Sequence, residues 1–177
     1  MSRRKPKNQH NLSRKKPKRE PYNRVLIVCE GKKTEPYYFS DLRNHYGLST
    51  ANIAVTPANG SDPISIVKYA KKCQQDEKKQ GEQFDRIYCV FDRDEHINFS
   101  AACDQIVANG FQSVRSWPCF EYWLLLHFSY HRKPFLATQG RTAAQYCQSV
   151  LKTKMPTYLK GEKSLFSTLL NLSLIHI

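Results

Sequence analysis

Two runs of consecutive apolar residues, each ended by acids, set the tightest limits on how this 177-residue chain can fold. Arg24-Val25-Leu26-Ile27-Val28-Cys29 stops at Glu30-Gly31, and Asp85-Arg86-Ile87-Tyr88-Cys89-Val90-Phe91 stops at Asp92-Arg93-Asp94-Glu95. Runs without polar alternation belong to strands covered on both faces, as in parallel sheets with helices on either side. Two weaker extended candidates, Ile53 to Pro57 and Phe111 to Ser116, bring the count to four. Helical patterns fall between them. Thr34 is the expected N-cap of the first, with Glu35 and Pro36 in its first turn and Tyr38, Phe39, Leu42 and Tyr46 at helical spacing. Pro63 opens the second, whose stripe is Ile66, Val67, Ala70 and Cys73; Phe99 to Val107 forms a third that ends at Asn109-Gly110. Trp117-Pro118 opens another through Phe120, Trp123, Leu124 and Phe128, an aromatic stripe that reads as core. Repeated strand, helix, strand units predict an α/β fold, Rossmann-like, with a parallel sheet of about four strands flanked by helices.

Charge divides the chain. Lys and Arg number 28 against 15 Asp and Glu, a formal +13, yet nine of the cations lie in residues 1–19, which hold no acid. The rest carries 19 cations and 15 acids, a net of +4. Residues 1–22 are too polar to offset the entropy of ordering and are expected to form a disordered basic arm, suited to phosphate contact or to keeping the chain in solution. The arm lacks a signal-like apolar segment, and no later window approaches the roughly 18 apolar residues of a membrane span, so a cytoplasmic location without a membrane partner is expected. The six cysteines are scattered without a C-x-x-C pair and read as buried thiols. Residues 23–135 are expected to form the main domain and 136–177 a helical extension. The last residues, Leu172 to Ile177, resemble translated adaptor sequence, which leaves a truncated C-terminus open.

In open parallel sheets, sites lie beyond the carboxyl ends of the strands. Here those positions are acidic: Glu30 after the first strand, Asp92 and Asp94 after the third, Glu121 beyond the fourth. Two aspartates two residues apart on extended chain can point the same way and offer hard oxygen ligands to one Mg²⁺ or Mn²⁺. Clustered carboxylates repel unless a cation neutralises them, so the metal reading competes with that of a solvated turn. Gly31-Lys32-Lys33-Thr34 invites comparison with the phosphate loop G-x-x-x-x-G-K-[ST], but Leu26 stands where the earlier glycine belongs. Lys32 and Lys33 are instead candidates for phosphate contact beside Glu30. Glu35 is a secondary ligand candidate or a helix-start acid. Ser61 to Ile64 could present backbone amides to phosphate. His127 and His131, without a third ligand nearby, read as packing or surface residues, and so does His96.

Three blocks resemble a known family. Cys29-Glu30-Gly31-Lys32-Lys33-Thr34-Glu35-Pro36 with Tyr38-Phe39, then Val90-Phe91-Asp92-Arg93-Asp94, then Pro118 to Phe128 are similar, in that order, to the blocks of RloB-like proteins of the Toprim superfamily. The resemblance implies a Toprim-like fold in which Glu30 is the general acid or base of phosphodiester cleavage and Asp92 and Asp94 hold Mg²⁺ or Mn²⁺, with Glu30 itself and Glu121 as further ligand candidates. It also implies nucleic acid, DNA or RNA, as substrate. A role in bacterial anti-phage defence or abortive infection follows from the same resemblance, beside an ABC-type ATPase of the RloA kind. The alternative is a nucleic-acid-binding or ATPase-regulating module with little catalysis of its own. Self-association is left open.

Overall fold

Val25–Cys29 and Arg86–Asp92 form the two central strands, β1 and β3, and their lack of polar alternation has the expected cause: both faces are covered. The structure, a computed structural model, describes residues 23–50, 52–60, 62–93, 97–138, 140–170 and 172. The basic arm at 1–22, Asp94, His96 and Ser61 lie outside the described residues. In chain order the elements are β1, α1 (Thr34–His45), β2 (Ile53–Pro57), α2 (Pro63–Lys79), β3, α3 (Phe99–Ala108), β4 (Gln112–Ser116), α4 (Glu121–Leu126), α5 (Ala143–Lys154) and α6 (Leu165–Leu170). The sheet is parallel throughout, in the order β2-β1-β3-β4.

Period-two alternation sends one face of each central strand into a core with α2 and α3, while Cys29 and Val90 are buried on the opposite face. Leu26 and Val28 of β1 and Ile87, Cys89 and Phe91 of β3 pack with Ile66, Val67 and Ala70 of α2 and Ala102 and Ile106 of α3. A second core joins Tyr38 of α1, Phe120, Leu124 and Leu125 around α4, Leu151 of α5 and Leu165, Phe166 and Leu169 of α6. The C-terminal helices are thus packed on α4 and α1. Two caps differ from expectation or extend it. Thr34 does not cap α1: it is the first helical residue, buried, and its hydroxyl accepts from the backbone N–H of Gly161 at 3.0 Å. Thr142 does cap α5, in a reciprocal box with Gln145. The helix expected from Trp117-Pro118 is confined to Glu121–Leu126.

The bland readings of the other singled-out residues fit their surroundings. His127 is fully buried with Nε2 3.0 Å from the Tyr38 hydroxyl, which also accepts from Trp123 Nε1 at 2.9 Å. All six cysteines are free thiols, but only Cys29, Cys89, Cys119 and Cys147 are buried as expected, Cys73 and Cys103 being half-buried; burial pushes Cys89 up to about 12, so it is protonated at neutral pH. Among the described residues no helix is long and apolar enough to cross a membrane.

Candidate active site

The order β2-β1-β3-β4 means that the chain leaves β1 in one direction to make β2 and returns to its other side to make β3. Loops after β1 and β3 therefore diverge and open a crevice at their carboxyl ends. Glu30 sits at that point, one residue past β1, and Asp92 is the last residue of β3. They are tied together: Glu30 Oε2 accepts the backbone N–H of Asp92 at 2.9 Å, and the backbone N–H of Glu30 donates to the carbonyl of Val90 at 2.9 Å. The sheet itself thus holds the first acid against the second.

A cleft of about 480 Å³ opens here, walled by Glu30, Gly31, Lys32, Lys33, Thr34 and Glu35 of the β1–α1 loop, by Asp92, and by Lys160. Among the described residues its charged lining is three carboxylates and three ammonium groups. A Cβ at residue 31 would fall on the Glu35 carboxylate, so a larger residue there would displace that side-chain end. Glu35 belongs to the first turn of α1, where the helix dipole favours a negative charge. Burial nonetheless raises its pKa above the ordinary 4.5, and the nearby Glu121 raises it further, against the lowering effects of its own backbone N–H and of Lys160. A carboxyl with a raised folded pKa contributes stability at low pH that is lost as pH climbs above its unfolded value. Glu35→Gln should therefore raise Tm at pH 7 relative to wild type, with the difference vanishing below pH 4.5; thermal melts across that window would reveal no such convergence if Glu35 were solvated.

Of the residues singled out in the sequence, Glu30, Asp92, Lys32 and Lys33 meet in this cleft, and Glu35 joins them. Asp94 lies outside the described residues. Glu121 does not line the cleft. It is 2% exposed, and its Oε1 accepts from the Tyr158 hydroxyl at 3.1 Å and Gln148 Nε2 at 3.2 Å, with Lys160 Nζ 3.9 Å away. Burial and the Glu121 charge push the Tyr158 hydroxyl well above its ordinary pKa, so it stays a donor.

Lys160 was not foreseen. It reaches the cleft because the segment before α6 is pinned to α1 by the Gly161 to Thr34 bond, with Gly161 at φ 81°, where a Cβ would also press on Lys33. No local pattern around Lys160 announces this, since the contact spans 127 residues.

The donor chemistry suits a hard divalent cation. Among the described residues, carboxylate oxygens line the cleft and no imidazole or thiol does. Among the described residues, no three His, Cys, Asp or Glu side chains are grouped closely enough to hold an ion, so Glu30 and Asp92 would have to be supplemented. A family model described as RloB-like protein matches residues 25–173. Among curated proteins, none matches the chain.

Proposed function

The chain belongs to the RloB-like family, and for a member with this cleft we propose phosphodiester hydrolysis of DNA or RNA dependent on Mg²⁺ or Mn²⁺. The observation that carries the reading is the hydrogen-bonded union of Glu30 and Asp92 at the strand switch point, inside a cleft that also holds three lysines. A surface built only to bind phosphate would gain nothing from three carboxylates among its cations. A bound divalent ion would neutralise those carboxylates and polarise the phosphate. Asp92, with Asp94 following it in D-x-D, would hold that ion on the β3 side. Glu30, fixed by the Asp92 N–H, would move the proton, taking it from the attacking water or giving it to the leaving oxygen. Lys32, Lys33 and Lys160 would offset phosphate charge. The kinship with Toprim enzymes, the role in anti-phage defence and the ATPase partner of the RloA kind belong to the same proposal, supported by the three sequence blocks and the family match.

The test is cleavage of end-labelled single- and double-stranded DNA and of RNA in Mg²⁺, Mn²⁺ or chelator, alone and with the ATPase. Cutting should require the metal, and Asp92→Asn should lower it by more than roughly 100-fold, the upper end for groups that merely support a ligand. Mg²⁺ should also raise Tm of the wild type and not of Asp92→Asn. Metal-independent cutting, or an active and folded Asp92→Asn, would sink the proposal. Nucleic-acid binding without cutting under any condition would point to the regulatory module.

A further inference from the structure

A second hollow begins where the acidic cleft ends. Asp92 pairs in register with Ser116, the last residue of β4, and the backbone N–H of Arg93 donates to the Ser116 carbonyl at 2.7 Å. Arg93 and Trp117, the next residues of the two chains, both line a groove of about 880 Å³ that runs to Arg141. An adjoining hollow of about 370 Å³ shares Trp117 and Phe135 and adds Tyr130, Arg132 and Lys133.

The composition of this face is unusual in two ways. Its described lining residues include four cations, Arg93, Arg132, Lys133 and Arg141, and no carboxylate. Two of its aromatic side chains are displayed in place of being buried: Trp117 is 45% and Tyr130 77% exposed, with the Arg132 guanidinium 5.9 Å from the Tyr130 ring centroid. The wall is also held in shape. The Tyr122 hydroxyl donates to the His131 carbonyl at 3.0 Å, His131 stacks on the buried Phe135 with ring centroids 4.7 Å apart, and Thr138 and Arg141 exchange backbone hydrogen bonds.

A face whose described charges are all cationic suits a polyanion, and flat rings standing in solvent suit unpaired bases, each of which offers a π face. A duplex keeps its bases stacked inside and would meet only the cations. We propose that this face is a track for a single nucleic-acid strand, with bases stacked on Trp117 and Tyr130 and phosphates on Arg93, Arg132, Lys133 and Arg141, leading the strand to or from the acidic cleft. The proposal rests on the nucleic-acid reading of that cleft and narrows its substrate class to single strands.

The test uses the full chain in chelator, so that binding is read without cutting. The probes are a fluorescein-labelled oligothymidylate and oligouridylate of about 16 nucleotides, the upper site size for such folds, and a duplex of equal length. Both oligonucleotides should quench tryptophan emission, and Trp117→Phe should keep most of the affinity. Trp117→Ala should weaken single-strand binding about 5- to 150-fold, the range for one lost base stack, and leave duplex binding unchanged. The basic residues 1–19 add salt-dependent affinity to every probe, so the single-strand to duplex ratio is the reading. Equal affinity for duplex, unquenched emission, or a folded Trp117→Ala variant that binds normally would each overturn the proposal. Those results together with Asp92-dependent cutting would leave the catalytic reading standing, whereas binding through Trp117 without cutting would uphold the track and remove the catalysis.

Discussion

Glu30→Gln is expected to reduce cleavage by about 10³-fold while leaving Tm unchanged or slightly raised. The argument is geometric. The amide oxygen of glutamine can still accept the Asp92 N–H that now bonds Glu30 Oε2 at 2.9 Å, so the strand ends stay together. What is lost is the negative charge and the ability to carry a proton, for which general acid-base catalysis gives roughly 10²- to 10⁴-fold. Removing one of three carboxylates from the cleft also relieves repulsion with Glu35 and Asp92. Loss of activity without loss of stability separates a chemical role from a structural one. Rates measured beside thermal melts decide it: an active glutamine variant would remove Glu30 from the chemistry.

Glu121→Ala should have the opposite signature, a large loss of stability. The carboxylate is buried beneath α4 and is the shared acceptor for Tyr158 and Gln148. Alanine would leave the buried Tyr158 hydroxyl and the half-buried Gln148 amide without that acceptor, at about 1–3 kcal/mol each. For a chain of this size, a total of about 2–6 kcal/mol corresponds to a Tm lower by roughly 4–24 °C. Glu121→Gln keeps an acceptor oxygen and should recover most of the loss. Calorimetry on the two variants checks this, and equal Tm values for alanine and wild type would mean that Glu121 is not the strut described. Because Tyr158 leads directly to Lys160 and Gly161, the alanine variant should also lose the Lys160 side of the cleft.

The central strands were legible because burial on both faces leaves an unbroken apolar run, and Glu30 and Asp92 were legible because they stand where those runs stop. The outer strand β4 was placed within a residue although its side chains are largely exposed, since Gly110 and Trp117-Pro118 bracket it. Thr34 shows where local chemistry misleads: threonine before an acid and a proline reads as a cap, but a partner 127 residues away claimed its hydroxyl. Lys160, Gln148 and Tyr158 escaped for the same reason, because their importance comes from contacts with α1 and α4 that leave no periodicity in their own neighbourhood. Glu121 was visible as an acid beyond a strand, and only its burial revealed its hydrogen-bonding work.

The Thr34 to Gly161 bond and the two bonds from Ser167 to Asp41 close loops of 127 and 126 residues. Contacts of such sequence separation are slow to form, because the entropy of closing the loop must be met before they contribute. The βαβ units that bring Glu30 to Asp92 close over shorter stretches of chain. The acids are therefore joined by a contact inside the sheet, whereas the Lys160 cation depends on a segment far along the chain docking on α1. Leu165, Phe166 and Leu169 anchor that segment in the core, so a substitution that loosens them would draw the Lys160 charge from the cleft while the Glu30 to Asp92 hydrogen bond stays within the sheet.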